Sequence, residues 1–279
     1  MDRLLPIFML PPVFRGGIAL IVSGACFPLC GVMVLRLQLV PLRYMLMHGV
    51  ILGGALVLAF SLPVVPVILA VNLALVFAMT VFTKNADFGF GGASAALMVF
   101  SMAAASLIVR IGGVPAKDTL GLLWGSPFAL GTADIACLAV LAIFLASYVL
   151  INFKNIAALF YSREIAYSLG IHVRVHYTLM VAIIALTVAI AMKLLGAFLI
   201  DALLVLPVLA ASAFLRRKKR QGIRALFLLS SVSGCICAAV GYVLAVAFDL
   251  PPSAVIAIVA GIAYAVFFHD TLGDINYDK

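Results

Sequence analysis

"KLLGAFLIDALLVLP", residues 193–207, sets a single carboxylate, Asp201, in an apolar run whose nearest other charge is Lys193. A helix on the surface of a soluble protein keeps one polar face; this run has none, so it belongs in a buried core or a membrane. The rest of the chain decides between the two. Of its 279 residues 66% are hydrophobic and only 10% are charged, and the mean hydropathy is +1.30. A soluble domain carries roughly 25% charged residues. Too little polar surface exists here to cover a globule in water, so the chain is a polytopic membrane protein. Its apolar runs are continuous. Barrel strands would alternate apolar and polar residues, so the spanning elements are helices.

A helical span needs about 20 apolar residues. Runs of that kind lie at 16–35, 45–61, 63–82, 91–109, 132–152, 176–192, 195–215, 225–248 and 254–268. The expected fold is therefore an all-α transmembrane bundle of eight or nine spans, forming one domain over 1–279. "SLPVVP" (61–66) supplies the turn that divides the long run 45–82. With the N-terminus outside, thirteen Lys and Arg fall on inner segments and five on outer ones. That bias follows the positive-inside rule, and "LRRKKRQGIR" (215–224) dominates it. The net charge of +8 thus reads as topology, not as a nucleic-acid surface. Arg15 interrupts the first apolar stretch, and no cleavable signal peptide is expected. All five cysteines (Cys26, Cys30, Cys137, Cys235, Cys237) sit in apolar runs, so no disulfide is expected. The outer loop 111–131 holds the one tryptophan, Trp124, which suits an interfacial anchor.

Catalytic signatures are missing. No GxxxxGK[ST] phosphate loop occurs, nor HExxH, CxxC or GxSxG. The chain is expected to be a transport subunit with no enzymatic site of its own. One inner segment stands out: "SREIAYSLG" (162–170) reads as a short amphipathic helix. Ser162 can cap it, Glu164 complements its N-terminus and Gly170 permits the stop.

Taken in order, five segments resemble the ABC-3 family of zinc, manganese and iron permeases. "GVMVLRLQLVPLRYMLMHGVILGGAL" (31–56) is similar to the family's first inner loop and its G-D-A-x-S-H segment. "GLLWGSPFALGTADI" (121–135) is similar to its L-x-G-S…D stretch. "SREIAYSLGIHV" (162–173) resembles its E-x-A-x-x-x-G coupling loop, here Glu164, Ala166 and Gly170. "KLLGAFLIDALLVLPVLAASAF" (193–214) and "DLPPSAVIAIVAG" (249–261) resemble its later helices. The resemblance implies an ABC-3/vitamin-B12-permease-like bundle in the inner (plasma) membrane. It implies a homodimer driven by a separate ABC ATPase and fed by an extracytoplasmic metal-binding protein. It implies a divalent metal ion as the cargo and no permanently bound cofactor.

The sequence also departs from that pattern. Aligned on the family histidine, His48 is retained, but the aspartate position is Tyr44 and the serine position is Met47. Tyr44 and His48 are i and i+4 and share a helix face. A Tyr/His/Met set is softer than an Asp/His pair. Asp201 is the reverse case, an acid where the family helix has a small or apolar residue. An ionised acid in a membrane interior costs about 2.5–3.5 kcal/mol even on lenient scales, and such residues line ion paths. Asp201 is thus a candidate for the carboxylate lost at Tyr44. Counted from the helix ends at ~1.5 Å per residue, it sits roughly 13 Å from His48 in depth, which makes two stations more natural than one shared site. The rival roles for Asp201 are an ion pair with Lys193, a cap or packing role, and a proton carrier in an ion- or proton-coupled secondary transporter. Cys26 and Cys30 around Pro28, Asn72, Asp87, His172, His176 and His269 are weaker candidates.

Overall fold

The computed structural model describes residues 5–85, 89–114, 127–218 and 222–275. The loop carrying Trp124 and the position of Asp87 lie outside them, as does the side chain of His269. Among the described residues there are helices and no strand. A short turn, α1 (Leu5–Phe8), leads into α2 (Pro11–Arg36), α3 (Val40–Phe60), α4 (Val64–Asn85) and α5 (Gly89–Ile111). A 3-10 turn at Pro127–Ala129 precedes α6 (Thr132–Ile151). The inner segment forms α7 (Phe153–Tyr161) and α8 (Arg163–Ser168). Then come α9 (Val173–Leu195), α10 (Ala197–Arg217), α11 (Ile223–Phe248) and α12 (Pro252–Ile275).

Each of the nine expected runs falls on its own helix, with ends offset by one or two residues in four of them. Among the described residues eight helices are long and apolar enough to cross a membrane, α2 to α6 and α9 to α11; the apolar part of α12, Pro252–Phe268, is shorter. The expected break after residue 61 is present. Ser61 closes α3 in the left-handed region at φ 53° and donates its N–H to the Val57 carbonyl. Pro63 then keeps the chain from continuing as helix.

The chain packs as two compact units, each discontinuous in sequence. One comprises 1–36, 126–177 and 198–279; the other comprises 37–125 and 178–197. In the first, α2 lies between α11 and α6, and α12 lies against α11. The α2–α11 contact is made by backbone. Pro28 has no N–H to give the carbonyl four residues earlier, that of Gly24. That carbonyl oxygen rests on Gly234 of α11, where an added Cβ would collide with it and with the Pro28 ring. The relation is reciprocal, since a Cβ on Gly24 would strike the Gly234 carbonyl. In lipid, where apolar surface gains nothing by leaving its solvent, such small-residue contacts let helices associate through close packing. Side chains reinforce it. Ser231 donates to the Ala25 carbonyl at 2.5 Å and Tyr242 to the Val13 carbonyl at 3.0 Å.

In the second unit α3 packs on both α4 and α5. Leu52, Ala55 and Ala105 form its buried centre, with Val71, Ala104 and Ile108 around them. Gly53 admits the backbone of Ile68, and Gly49 admits the side chain of Asn72.

Candidate functional site

The inner segment 152–173 is built from two helices. In α7, Ile156, Ala158 and Leu159 are buried while Lys154 and Tyr161 face out. Phe153 and Phe160 both pack against Phe227 of α11, each with ring centroids 6.1 Å apart. Arg224 stands over the Phe153 ring at 5.2 Å. The chain then breaks at Ser162, which is extended (φ −163°), and its hydroxyl accepts the Glu164 N–H at 3.1 Å. This is the cap expected from the sequence, and Glu164 stands in the first turn of α8.

Gly170 ends α8 at φ +76°. Its N–H donates to the Tyr167 carbonyl at 3.0 Å, and the Ile171 N–H reaches back to the Ala166 carbonyl at 3.1 Å. This pattern closes a helix with a glycine. Ala166 has no exposed surface at all, so α8 sits on the unit through it. Its neighbours Ile165, Tyr167 and Leu169 are turned outward. Within this unit Arg163 stands 4.7 Å over the Tyr177 ring at the start of α9, and Asn155 of α7 meets His176 Nε2 at 3.2 Å. The segment is therefore tied to the bundle at both ends while its middle presents apolar side chains.

His48 lies in α3, partly buried. Its Nδ1 is 2.8 Å from the Tyr44 carbonyl oxygen of its own helix. A carbonyl can only accept, so Nδ1 carries a proton; in the neutral ring the lone pair is then on Nε2. That tautomer is the one a neutral imidazole uses to ligate a metal through Nε2. Tyr44 is exposed, and its ring lies under the Arg43 guanidinium at 4.4 Å. Met47 is partly buried, whereas Met45 is fully buried. All of these belong to the second unit. Asp201 is in the first, on the fifth residue of α10, and is partly buried. It is engaged in an interaction within the protein, as is Lys193. Among the described residues no group of three or more His, Cys, Asp or Glu is placed to hold a metal ion.

Asn72 is the residue that sequence reasoning under-read. It is 1% exposed, and among the described residues neither atom of its amide has a hydrogen-bond partner. Its oxygen faces Gly49, next to His48 in the chain. An amide that merely joins helices would be bonded to one of them. A lone polar residue is visible in the sequence; what it lies beside is not. Among the described residues no cysteine forms a disulfide, and Cys26 points at the Ala142 carbonyl at 3.8 Å.

The model of the ABC 3 transport family matches residues 10–270. A Chlamydia trachomatis protein named "Probable metal transport system membrane protein" is 26% identical over 223 residues, 77% of this chain and 74% of that one. The "High-affinity zinc uptake system membrane protein ZnuB" of Haemophilus influenzae is 26% identical over 61% of this chain and 66% of its own. A chain of the solved structure "PsaBC from Streptococcus pneumoniae in complex with Fab" superposes with a TM-score of 0.83 at 18% identity. The match covers 96% of this chain and 95% of that one, which shows a shared fold.

Proposed function

The chain belongs to the ABC 3 transport family, and from that premise we propose that it is the membrane-spanning permease subunit of an ATP-driven importer of divalent metal cations, in the zinc, manganese or iron class. It would work in the inner (plasma) membrane as a homodimer. Hydrolysis would take place on a separate ABC ATPase, and a binding protein outside would deliver the metal. The observation that carries this reading is α8: a capped, glycine-terminated helix, seated on the bundle by Ala166, that turns Ile165, Tyr167 and Leu169 outward. Such a face suits a groove on a partner, and its fixed ends suit it to pass the partner's motion inward. The metal names borne by similar proteins support the cargo class.

On the path itself, His48 Nε2 is a ligand in the right tautomer, with Met47 and the Tyr44 phenol as softer neighbours. Asp201 is a second station, a carboxylate in the apolar surroundings where a cation gains most from a fixed charge.

The test is reconstitution in nanodiscs with a cognate ABC ATPase and a binding protein loaded with Zn²⁺, Mn²⁺ or Fe²⁺. Stimulation of ATP turnover by one loaded form, lost on deletion of 162–170, supports the reading. Metal uptake that runs without any ATPase and follows a pH gradient would replace it with the secondary transporter in which Asp201 carries a proton.

A further inference from the structure

The inner end of the first unit holds a cavity of about 320 Å³ that the transport reading does not use. Three helix ends meet there. The last residue of α2, Arg36, lines it, together with Ser212, Leu215 and Arg216 from the end of α10 and Gly222, Ile223 and Leu226 from the start of α11. Phe160 and Tyr161 of α7 close the remaining side. Two arginines, both largely exposed, thus line one hollow, with no carboxylate among its described lining residues. The sequence between Asp201 and Asp249, which supplies most of the lining, holds no acidic residue.

The start of α11 adds to the same field. This 26-residue helix follows Gly222, whose lack of a side chain leaves the first N–H groups without a side-chain cap, and its first turn holds no acid. A helix N-terminus of this kind offers donors and partial positive charge to an anion. Arginine forks match phosphate oxygens in pairs. The Ser212 side chain supplies a hydroxyl donor.

The setting selects the source of the phosphate. The hollow opens where α2 and α10 end and α11 begins, at the level where membrane helices leave the hydrocarbon. Leu215, Ile223, Leu226 and Phe160 supply apolar wall beside the charged groups. A volume near the lower end for small-ligand clefts admits a headgroup and leaves the acyl chains outside. Basic residues continue along the chain at Arg217, Lys218, Lys219, Arg220 and Arg224. Such clusters attract anionic lipid of the inner leaflet. We propose that this cavity, walled by Arg36, Ser212, Arg216, Tyr161 and the N-terminus of α11, binds the phosphate headgroup of an anionic phospholipid. The assignment does not depend on what the protein transports.

The experiment is a titration of the full chain in detergent with dioctanoyl phosphatidylglycerol, read by native mass spectrometry. Basic side chains near an anionic surface contribute about 1 kcal/mol each. Arg36→Gln/Arg216→Gln should therefore bind the first lipid roughly 30-fold more weakly, or about 2 kcal/mol at 1.4 kcal/mol per decade. Lys154→Gln/Arg174→Gln, which removes two charges outside the cavity, should bind as the unaltered chain does. Equal weakening by both pairs overturns the site, as does no weakening by the first. Inorganic phosphate or phosphatidylcholine binding as tightly as phosphatidylglycerol overturns the anionic-lipid assignment. A second measurement needs no variant. A phosphatidylglycerol with a photoreactive headgroup should mark peptides that contain 160–161, 212–216 or 222–226 of the unaltered chain. Adducts found only elsewhere refute the proposal.

Discussion

Replacing Gly170 by alanine separates the conformation of the inner helix from its contacts. A Cβ at Gly170 would meet nothing within 4 Å, so the substitution causes no clash. Its cost is purely that of the backbone, held at φ +76°. An L-residue in the left-handed region costs roughly 1–2 kcal/mol. The bonds at stake are the two that close α8, from Gly170 N–H to Tyr167 and from Ile171 N–H to Ala166. If the strain is relieved by opening that last turn, the equilibrium constant for a correctly ended α8 falls about 5- to 30-fold, and its population by at most that factor. Leu169 and Ile171 then lose their fixed direction. Metal-stimulated ATP turnover in the reconstituted complex should fall, by up to that factor, while basal turnover and the thermal midpoint of the isolated chain stay close to their starting values. Gly113→Ala is the control. That position has φ +63° and is also open, so it meets the same strain far along the chain from α8. Equal stimulated turnover in Gly170→Ala and the unaltered protein, or equal loss in both variants, would refute the reasoning.

Three further outcomes are expected. Gly234→Ala should lower resistance to unfolding in an SDS titration by about 1–3 kcal/mol, because the Gly24 carbonyl and the Pro28 ring stand where the methyl would go. Gly261→Ala, with nothing within 4 Å, should not. Asn72→Leu keeps the branched shape, with two methyls in place of the smaller amide O and NH2, and removes a buried amide that is not hydrogen-bonded, so it should raise the melting temperature in detergent by an amount equivalent to about 1 kcal/mol; no rise would count against an unbonded amide. Asp201→Asn should reduce metal-stimulated turnover about tenfold or more, the effect of losing one charged contact with a cation. Unchanged turnover and metal affinity would remove Asp201 from the path.

The spans were legible because hydropathy records solvent, and the solvent of a membrane helix is uniform along it. Proline and serine at 61–63 placed the break between α3 and α4 for a local reason. The same holds for α8, where Ser162 and Gly170 act on their own backbone within a few residues. What the sequence withheld depends on residues far apart. Nothing in the spacing of Gly24 announces Gly234, and nothing at Arg36 announces Arg216. Lipid and protein interior are equally apolar, so hydropathy does not say which face meets which. Burial shows the same blindness: α9 and α4 are similarly hydrophobic, yet 67% of one window and 22% of the other is buried. At the site, His48 was visible by its type, but its tautomer came only from the Tyr44 carbonyl. Asn72 was visible as polar, and its missing partners only in three dimensions.

The contact between Gly24 and Gly234 bears on how such a protein can change shape. Side chains that interdigitate can swap rotamers and let two helices slide. Two backbones pressed together at glycines have no such give. In any cycle of opening and closing, α2 and α11 should therefore travel as one strut, and the parts that shift should be sought among helices whose neighbours touch them only through flexible side chains.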